Sequence, residues 1–204
     1  MDIAVNLVEN YLRLTGYLTL SEWEVQREES DGTYRTLTDV DVMAVRFPGA
    51  VSVGDPHGHT GCTSMVIDDA VLGLEDAMTD VIIGEVKQGP AELNPATKDH
   101  AVLHSMLRRV EWLYESSLIG VIEGLQTDGV SVTAARGGGT IRTRLVAFGR
   151  SDVDDLTVIS YGHIITKLLG VFSEHEDAFR PVQFKEPAPA FLRLLLKAGF
   201  DVTR

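Results

Sequence analysis

The distribution of apolar and polar positions divides the chain into predicted helices and strands. Apolar residues at helical spacing predict amphipathic helices, and short apolar runs between turn residues predict strands. The predicted helices cover residues 3–14, 98–117, 162–172 and 190–198. The predicted strands cover residues 17–26, 38–46, 80–88, 140–149 and 156–161, with a turn at residues 30–32. Helices and strands that follow one another in this order predict an α/β fold, in which helices cover a central sheet.

Charged residues interrupt the second and the third of these strands. Asp41 lies in the second strand, and Glu85 and Lys87 lie in the third. Transfer of an unpaired polar group to an apolar environment costs on the order of 2–7 kcal/mol, and a bare charge costs more. A partner of opposite charge or a metal ion must offset this cost. If the two strands are neighbours, the three side chains meet at one end of the sheet, in the outline of a metal-dependent hydrolase site.

An Asp in one strand, followed by Glu-x-Lys in the next, resembles the PD-(D/E)XK nuclease superfamily of restriction endonucleases and archaeal Holliday-junction resolvases. The match reads Asp-Val-Asp41-Val-Met-Ala and then Ile-Gly-Glu85-Val-Lys87, and the order of elements extends it over residues 3–150. The resemblance implies a restriction-endonuclease-like αβββαβ core, with a mixed central sheet flanked by helices. It also implies Mg²⁺-dependent hydrolysis of phosphodiester bonds in DNA.

The same resemblance assigns a role to each residue of the motif. Asp41 and Glu85 are expected to hold Mg²⁺, with the backbone carbonyl of Val86 as a third ligand and Mn²⁺ as a substitute metal. Mg²⁺ usually binds one or two carboxylates at about 2.0–2.1 Å and keeps several waters. Lys87 shares a strand face with Glu85 because side chains alternate with period two. We expect its ammonium to orient or deprotonate the attacking water.

Three further residues are candidates for accessory roles. Asp39 shares a strand face with Asp41 and is its rival as a metal ligand, but an apolar run follows Asp41, as in the family. Glu9 is either a metal-site residue of the first helix or a solvated residue beside its apolar stripe. Gln88 follows the motif lysine, where its amide would contact a phosphate. The alternative for the whole motif is a salt-bridged strand end, in which Lys87 neutralises Glu85.

The net charge of −12 opposes nucleic-acid binding, but the charge is unevenly distributed. Residues 129–150 contain four arginines and no acidic residue. Arg136, Arg142 and Arg144 are therefore predicted to contact a phosphate backbone, since guanidinium groups bind phosphate in a bidentate manner. The alternative is an edge strand that its charges protect from aggregation.

Length and composition predict one domain over residues 1–204, with a nuclease-like core at 3–150 and a C-terminal strand and helices at 151–204 packed on it. No apolar run reaches the ~18 residues of a membrane span. A single cysteine excludes an internal disulfide framework, and the N-terminus lacks the basic region of a signal peptide. We therefore expect a cytoplasmic protein that does not associate with membranes.

A loop inserted at residues 48–79 separates the two motif strands. It contains Asp55, His57, His59 and Cys62, but their close spacing is not typical of a zinc site. A loop beside the active site is favoured, where His57 or His59 would meet substrate. The last predicted helix, residues 190–198, has a wide apolar stripe that belongs either to the core or to a dimer contact.

Three functions are consistent with these patterns. The first is a Mg²⁺-dependent DNA nuclease of repair, recombination or defence, in which a homodimer would bring one active site to each strand. The second is a non-catalytic scaffold or binding subunit of a larger complex that keeps the nuclease fold. The third is a metal enzyme for nucleotide-like or small phosphoester substrates, which would account for the acidic charge.

Overall fold

A mixed sheet of six strands organises the described part of the chain, which comprises residues 2–48, 67–180 and 182–200 of a computed structural model. The strands run in the spatial order β1-β2-β3-β5-β4, and β6 pairs with β5 beside β4. Their bounds are Leu18–Glu28 (β1), Tyr34–Arg46 (β2), Met78–Pro90 (β3), Val130–Ala134 (β4), Thr140–Arg150 (β5) and Val158–Ser160 (β6).

Antiparallel and parallel pairs divide this sheet. β1 pairs antiparallel with β2, and β2 pairs antiparallel with β3. β3 pairs in parallel with β5, and the connection between them contains helices, as a parallel crossover requires. β4 and β5 form an antiparallel hairpin, and β6 extends the sheet in parallel to β5.

Helices cover both faces of the sheet. They are Ile3–Leu14 (α1), His100–Leu107 (α2), Leu118–Asp128 (α3), Tyr161–Glu174 (α4), Glu176–Phe179 (α5) and Pro187–Lys197 (α6), with 3₁₀ helices at Ala70–Leu72, Pro95–Lys98 and Arg108–Leu113. Ile82 of β3 packs in one hydrophobic cluster with α1 and α4, whereas its neighbours Val81 and Ile83 pack in a second cluster with α2 and α3. Both faces of β3 are therefore buried, which explains its nearly continuous apolar sequence.

These elements confirm the predicted mixed α/β architecture. α1 has the predicted bounds, and its first turn is fixed by Asp2, whose carboxylate accepts a hydrogen bond from the Ala4 N–H at 2.8 Å. The predicted helix over residues 98–117 is instead α2 followed by a 3₁₀ helix, with Val110 in a non-helical conformation between its two ends. α3 and β4 are additional to the prediction. Most of the predicted insertion, residues 49–66, lies outside the described residues.

A buried ionic cluster joins β3 to β5 and corrects the assignment of two arginines. Arg142 Nε donates to Asp80 Oδ1 at 2.5 Å, and Arg144 Nη2 donates to Asp80 Oδ2 at 2.9 Å. Tyr17 donates its hydroxyl to the same carboxylate at 2.5 Å. Arg142 is 6% exposed and Arg144 is fully buried. The prediction that Arg142 and Arg144 contact a phosphate backbone is wrong, because both guanidinium groups lie inside the protein and neutralise Asp80.

Remaining guanidinium donors tie this cluster to the surrounding loops. Arg142 donates to the backbone carbonyls of Leu72 and Gly73 at 2.6 and 2.9 Å, and Arg144 donates to the carbonyl of Leu156 at 2.6 Å.

Among the described residues, no helix is both long enough and apolar enough to cross a membrane.

Candidate functional site

Asp41 lies where the ladder between β2 and β3 ends. The last register pair at this end joins Val42 to Gly84, so Asp41 is the first residue of β2 beyond it. Its carboxylate replaces the missing ladder partner, because Oδ2 accepts a hydrogen bond from the Val86 N–H at 2.7 Å. No hydrogen bond from another described residue reaches the second oxygen, Oδ1.

Glu85 follows Gly84 on β3 and lies across from Asp41. Its side chain is only 5% exposed. Lys87, two residues further along β3, donates from Nζ to Oε1, and Thr97 of the 3₁₀ helix Pro95–Lys98 donates from Oγ1 to Oε2 at 2.8 Å. The Lys87 side chain is 37% exposed, so its ammonium is accessible from solvent. The structure thus brings Asp41, Glu85 and Lys87 together.

Thr97 is a member of this site that the sequence reasoning missed. It is buried because Asn94 caps the 3₁₀ helix, with Oδ1 accepting a hydrogen bond from the Ala96 N–H at 3.0 Å, and Pro95 follows at the first position. The Asn-Pro pair signals a turn or a helix start. Nothing in the local sequence indicates that this turn lies against β3.

Burial is the main influence on the Asp41 carboxyl group. Burial raises the pKa of Asp41, and the negative charge of Glu85 raises it further, while the Val86 N–H and the Lys87 ammonium act in the opposite direction. Two carboxylates with one lysine between them form a site of excess negative charge. A cation bound by both carboxylates would relieve this repulsion.

The backbone of β1 is irregular at the position opposite Asp41. The pairs Ser21 with Val42 and Trp23 with Val40 flank this position, but Glu22 itself has φ of 52°. Among the described residues it is the one non-glycine residue with positive φ. Such conformations cost of order 1–3 kcal/mol and cluster at functional sites. The pairing of β2 is therefore interrupted on both sides of Asp41, a feature that the sequence does not reveal.

The accessory candidates are not all brought to this site. Asp39 is exposed on β2, and among the influences that raise the pKa of Asp41 its charge comes after burial and the charge of Glu85. Gln88 lies on the other face of β3, where its amide donates to Asp2 Oδ2 of the α1 cap at 3.0 Å. The N–H of Val86 is used by Asp41, and the role of its carbonyl stays a prediction.

Glu9 is buried in α1, at 1% exposure. Its Oε1 accepts hydrogen bonds from Arg13 at 2.9 Å and from Thr19 at 3.2 Å. Its Oε2 is buried without a hydrogen-bond partner among the described residues. The alternative of a solvated residue is therefore wrong. However, α1 packs on the face of the sheet opposite Thr97, so Glu9 does not join Glu85 and Lys87.

Arg136 is exposed in the turn between β4 and β5, so its predicted contact with phosphate stays a prediction. Asp55, His57, His59 and Cys62 lie outside the described residues. Within the described ranges, no group of three or more His, Cys, Asp or Glu side chains is arranged to hold a metal ion. The candidate site accordingly supplies two carboxylates, which is the number that protein sites for Mg²⁺ commonly use.

Comparison of the chain with protein-family models, curated proteins and solved structures found no match.

Proposed function

We propose that this protein is a Mg²⁺-dependent nuclease of restriction-endonuclease-like fold, which hydrolyses phosphodiester bonds in DNA. The observation that carries the proposal is the meeting of Asp41, Glu85 and Lys87 where β2 and β3 separate. The topology supports it in part, because one helix, three antiparallel strands and a helical crossover precede the parallel strand β5, with the additional strand β4 between crossover and β5.

The donor set fits a hard cation. Carboxylate and carbonyl oxygens are the ligands that Mg²⁺ prefers, and it usually takes one or two carboxylates in addition to waters and substrate phosphate. The free Oδ1 of Asp41 and the carboxylate of Glu85 would hold the ion, and the carbonyl of Val86 would add a third ligand. When bound, Mg²⁺ supplies a Lewis acid that neutralises charge developing on the phosphate.

The side chains of the site have separate tasks in this proposal. Lys87 orients the attacking water through its ammonium, which is partly exposed and is held beside Glu85. Thr97 fixes the rotamer of Glu85 through the hydrogen bond to Oε2. The Val86 N–H does the same for Asp41. Both carboxylates are thus positioned before any ligand binds, which is the condition for efficient electrostatic catalysis.

A second candidate is a non-catalytic scaffold or binding subunit with the same fold. The ion pair between Lys87 and Glu85 favours it, because this pair already neutralises one of the two carboxylates. The net charge of −12 favours it as well. The two candidates differ in whether the three side chains act on a phosphodiester bond.

A cleavage assay separates them. Supercoiled plasmid, single-stranded circular DNA and branched DNA are incubated with wild type, Lys87→Ala, Asp41→Ala and the matched control Asp39→Ala, in Mg²⁺ or Mn²⁺. We expect wild type and Asp39→Ala to cut at least one substrate, and the other two variants to lose about 10²–10⁴-fold in rate. Absence of cleavage by wild type, together with no heat of Mn²⁺ binding in calorimetry, would favour the scaffold.

A further inference from the structure

Two exposed aromatic rings stack on each other at the end of β2. Phe47 and Trp112 have ring centroids 6.5 Å apart with an angle of 25° between the planes. Trp112 is 60% exposed and Phe47 is 40% exposed. Adjoining exposed apolar residues can mark an interaction site, whereas single exposed ones are ordinary. A stacked pair leaves an outer ring face free for a third flat group.

Two exposed arginines lie close to this pair along the chain. Arg108 and Arg109 precede Trp112 in the same 3₁₀ helix, and both are exposed. Arg109 places its guanidinium carbon 3.3 Å from the centroid of the Trp23 ring on β1. Neither arginine forms an ion pair with a described residue. We call Phe47, Arg108, Arg109 and Trp112 the aromatic–arginine surface.

Phe47 lies six residues beyond Asp41 along the chain, about 20 Å at ~3.3 Å per residue, but the residues between them are buried. The exposed connection to the candidate site runs along α2. This helix begins next to Thr97, and its exposed residues His100 and His104 stack their rings 6.1 Å apart. Eight residues of helix, about 12 Å at 1.5 Å per residue, then lead from His100 to Arg108.

From these observations we propose that the aromatic–arginine surface binds single-stranded nucleic acid and leads it to the candidate site, an inference that rests on the proposed function. An unpaired base stacks on Trp112, and the adjoining phosphates pair with Arg108 and Arg109. Bases of a duplex are stacked on each other and offer no free face, so the aromatic pair selects single strands.

The charge of the molecule points to the same ligand. A protein with a net charge of −12 repels the phosphate backbone at long range. Base stacking adds an attraction that is not a charge interaction, and it is sequence-tolerant because every base has a π-face. A stacking platform with two arginines therefore suits this chain better than an extended phosphate-binding track.

Fluorescence of single-tryptophan variants tests the proposal directly, because Trp23 and Trp112 are the two tryptophans of the chain. In EDTA, which prevents cleavage, we expect an oligothymidylate to quench the emission of Trp23→Phe, which retains Trp112. We expect it to quench Trp112→Phe, which retains Trp23, much less. Equal quenching of the two variants would overturn the proposal, as would no quenching of either.

Anisotropy of a labelled oligothymidylate then measures the affinity. We expect Trp112→Ala and Phe47→Ala to bind roughly tenfold or more weakly than wild type. Phe191→Ala is the matched control, since Phe191 is an aromatic residue that is 55% exposed on α6, against the other face of the sheet. If Trp112→Ala binds with wild-type affinity, and if it is a monomer where wild type is a dimer, the proposal is overturned. The two rings would then belong to a self-association contact.

The two proposals fail in different ways. If Lys87→Ala abolishes cleavage while Trp112→Ala binds single strands as wild type does, the nuclease assignment holds and the aromatic–arginine surface does not bind substrate. If wild type cleaves nothing but quenching is confined to Trp112, the surface binds single strands in a protein without nuclease activity.

Discussion

Asp41 and Asp80 are both acidic residues on apolar strands, but the fold treats them in opposite ways. Asp80 receives two guanidinium groups and a tyrosine hydroxyl, so its charge is fully compensated inside the protein. Asp41 receives one backbone N–H and faces a second carboxylate. A carboxylate that stays uncompensated in a half-buried position is a candidate for function, because its charge is kept at a cost to stability.

Replacement of Asp41 by Asn is expected to stabilise the fold while removing metal binding. Burial and Glu85 raise the pKa of Asp41, so the native protein binds more protons than the unfolded chain between the ordinary and the raised pKa. The free energy of unfolding therefore falls as the pH rises from the ordinary pKa to the raised pKa of Asp41. At neutral pH the ionised carboxylate lowers the stability of the fold by its full amount. We expect Asp41→Asn to gain about 0.2–1 kcal/mol there, the usual size of a cross-strand charge effect.

Urea denaturation at neutral pH and below pH ~3.9, the ordinary pKa of Asp, measures this gain. At the lower pH the carboxyl group is neutral, so the two proteins should become equally stable. Asp39→Asn is the control, since an exposed substitution on the same strand should change stability by less than about 0.5 kcal/mol. A loss of stability in Asp41→Asn at neutral pH would show that the hydrogen bond to Val86 outweighs the charge repulsion.

At the scale of the elements, close packing of β3 fixes the distance between the two motif strands. Gly84 pairs with Val42, and a Cβ atom at Gly84 would lie 2.5 Å from Val42 Cγ1 and 2.8 Å from Phe148 Cε2. Only glycine allows β2 and β5 to pack their side chains over this point. The residue directly before Glu85 thus positions the site through packing and not through contact with a ligand.

Gly84→Ala is therefore expected to lower the free energy of unfolding by about 1–3 kcal/mol, the usual cost of overpacking a core. Gly89→Ala provides the matched control on the same strand, because no atom lies within 4 Å of its added Cβ. Denaturant midpoints of the two variants give the comparison. Equal stability of the two would mean that Phe148 moves aside at little cost, and that Gly84 does not fix the strand spacing.

Elements with local signals could be predicted from the sequence, whereas long-range partners could not. The bounds of α1 follow from its apolar spacing and from Asp2 at its cap. The starts of α2 and α3 have local signals as well, in Asp99 and Ser117, which cap the two helices. Arg142 and Arg144 were misassigned because the register that places Asp80 beside Arg142 joins strands 62 residues apart.

On the scale of the whole molecule, the Asp80 cluster connects parts of the chain that are far apart in sequence. Tyr17 precedes β1, Asp80 lies on β3, and Arg142 and Arg144 lie on β5 and reach the loops at Leu72 and Leu156. Removal of the Asp80 carboxylate leaves the guanidinium groups of Arg142 and Arg144 charged and buried without a counterion. The cluster is therefore a condition for folding and not a site for ligands.

Asp80→Ala should destabilise the protein by about 3–5 kcal/mol, because it leaves two buried guanidinium groups without their carboxylate. This is a large part of the ~5–15 kcal/mol that stabilises an ordinary domain. Asp152→Ala, at an exposed position, removes the same charge without a partner and should behave as wild type. Thermal melting and soluble yield report the effect, and a melting temperature of Asp80→Ala equal to that of wild type would refute it.

The overall charge makes one more prediction, on the salt dependence of nucleic-acid binding. For single strands, the slope of log affinity against log salt is about −0.7 for each phosphate that a protein neutralises. Arg108 and Arg109 are the two cations of the aromatic–arginine surface, so we expect a slope near −1.4 in EDTA. Arg108→Gln combined with Arg109→Gln should bring the slope close to zero, whereas Trp112→Ala should lower affinity and leave the slope unchanged. A slope steeper than about −4 would require about six or more phosphate contacts. The aromatic–arginine surface does not offer that many, so such a slope would place the nucleic-acid path elsewhere on the protein.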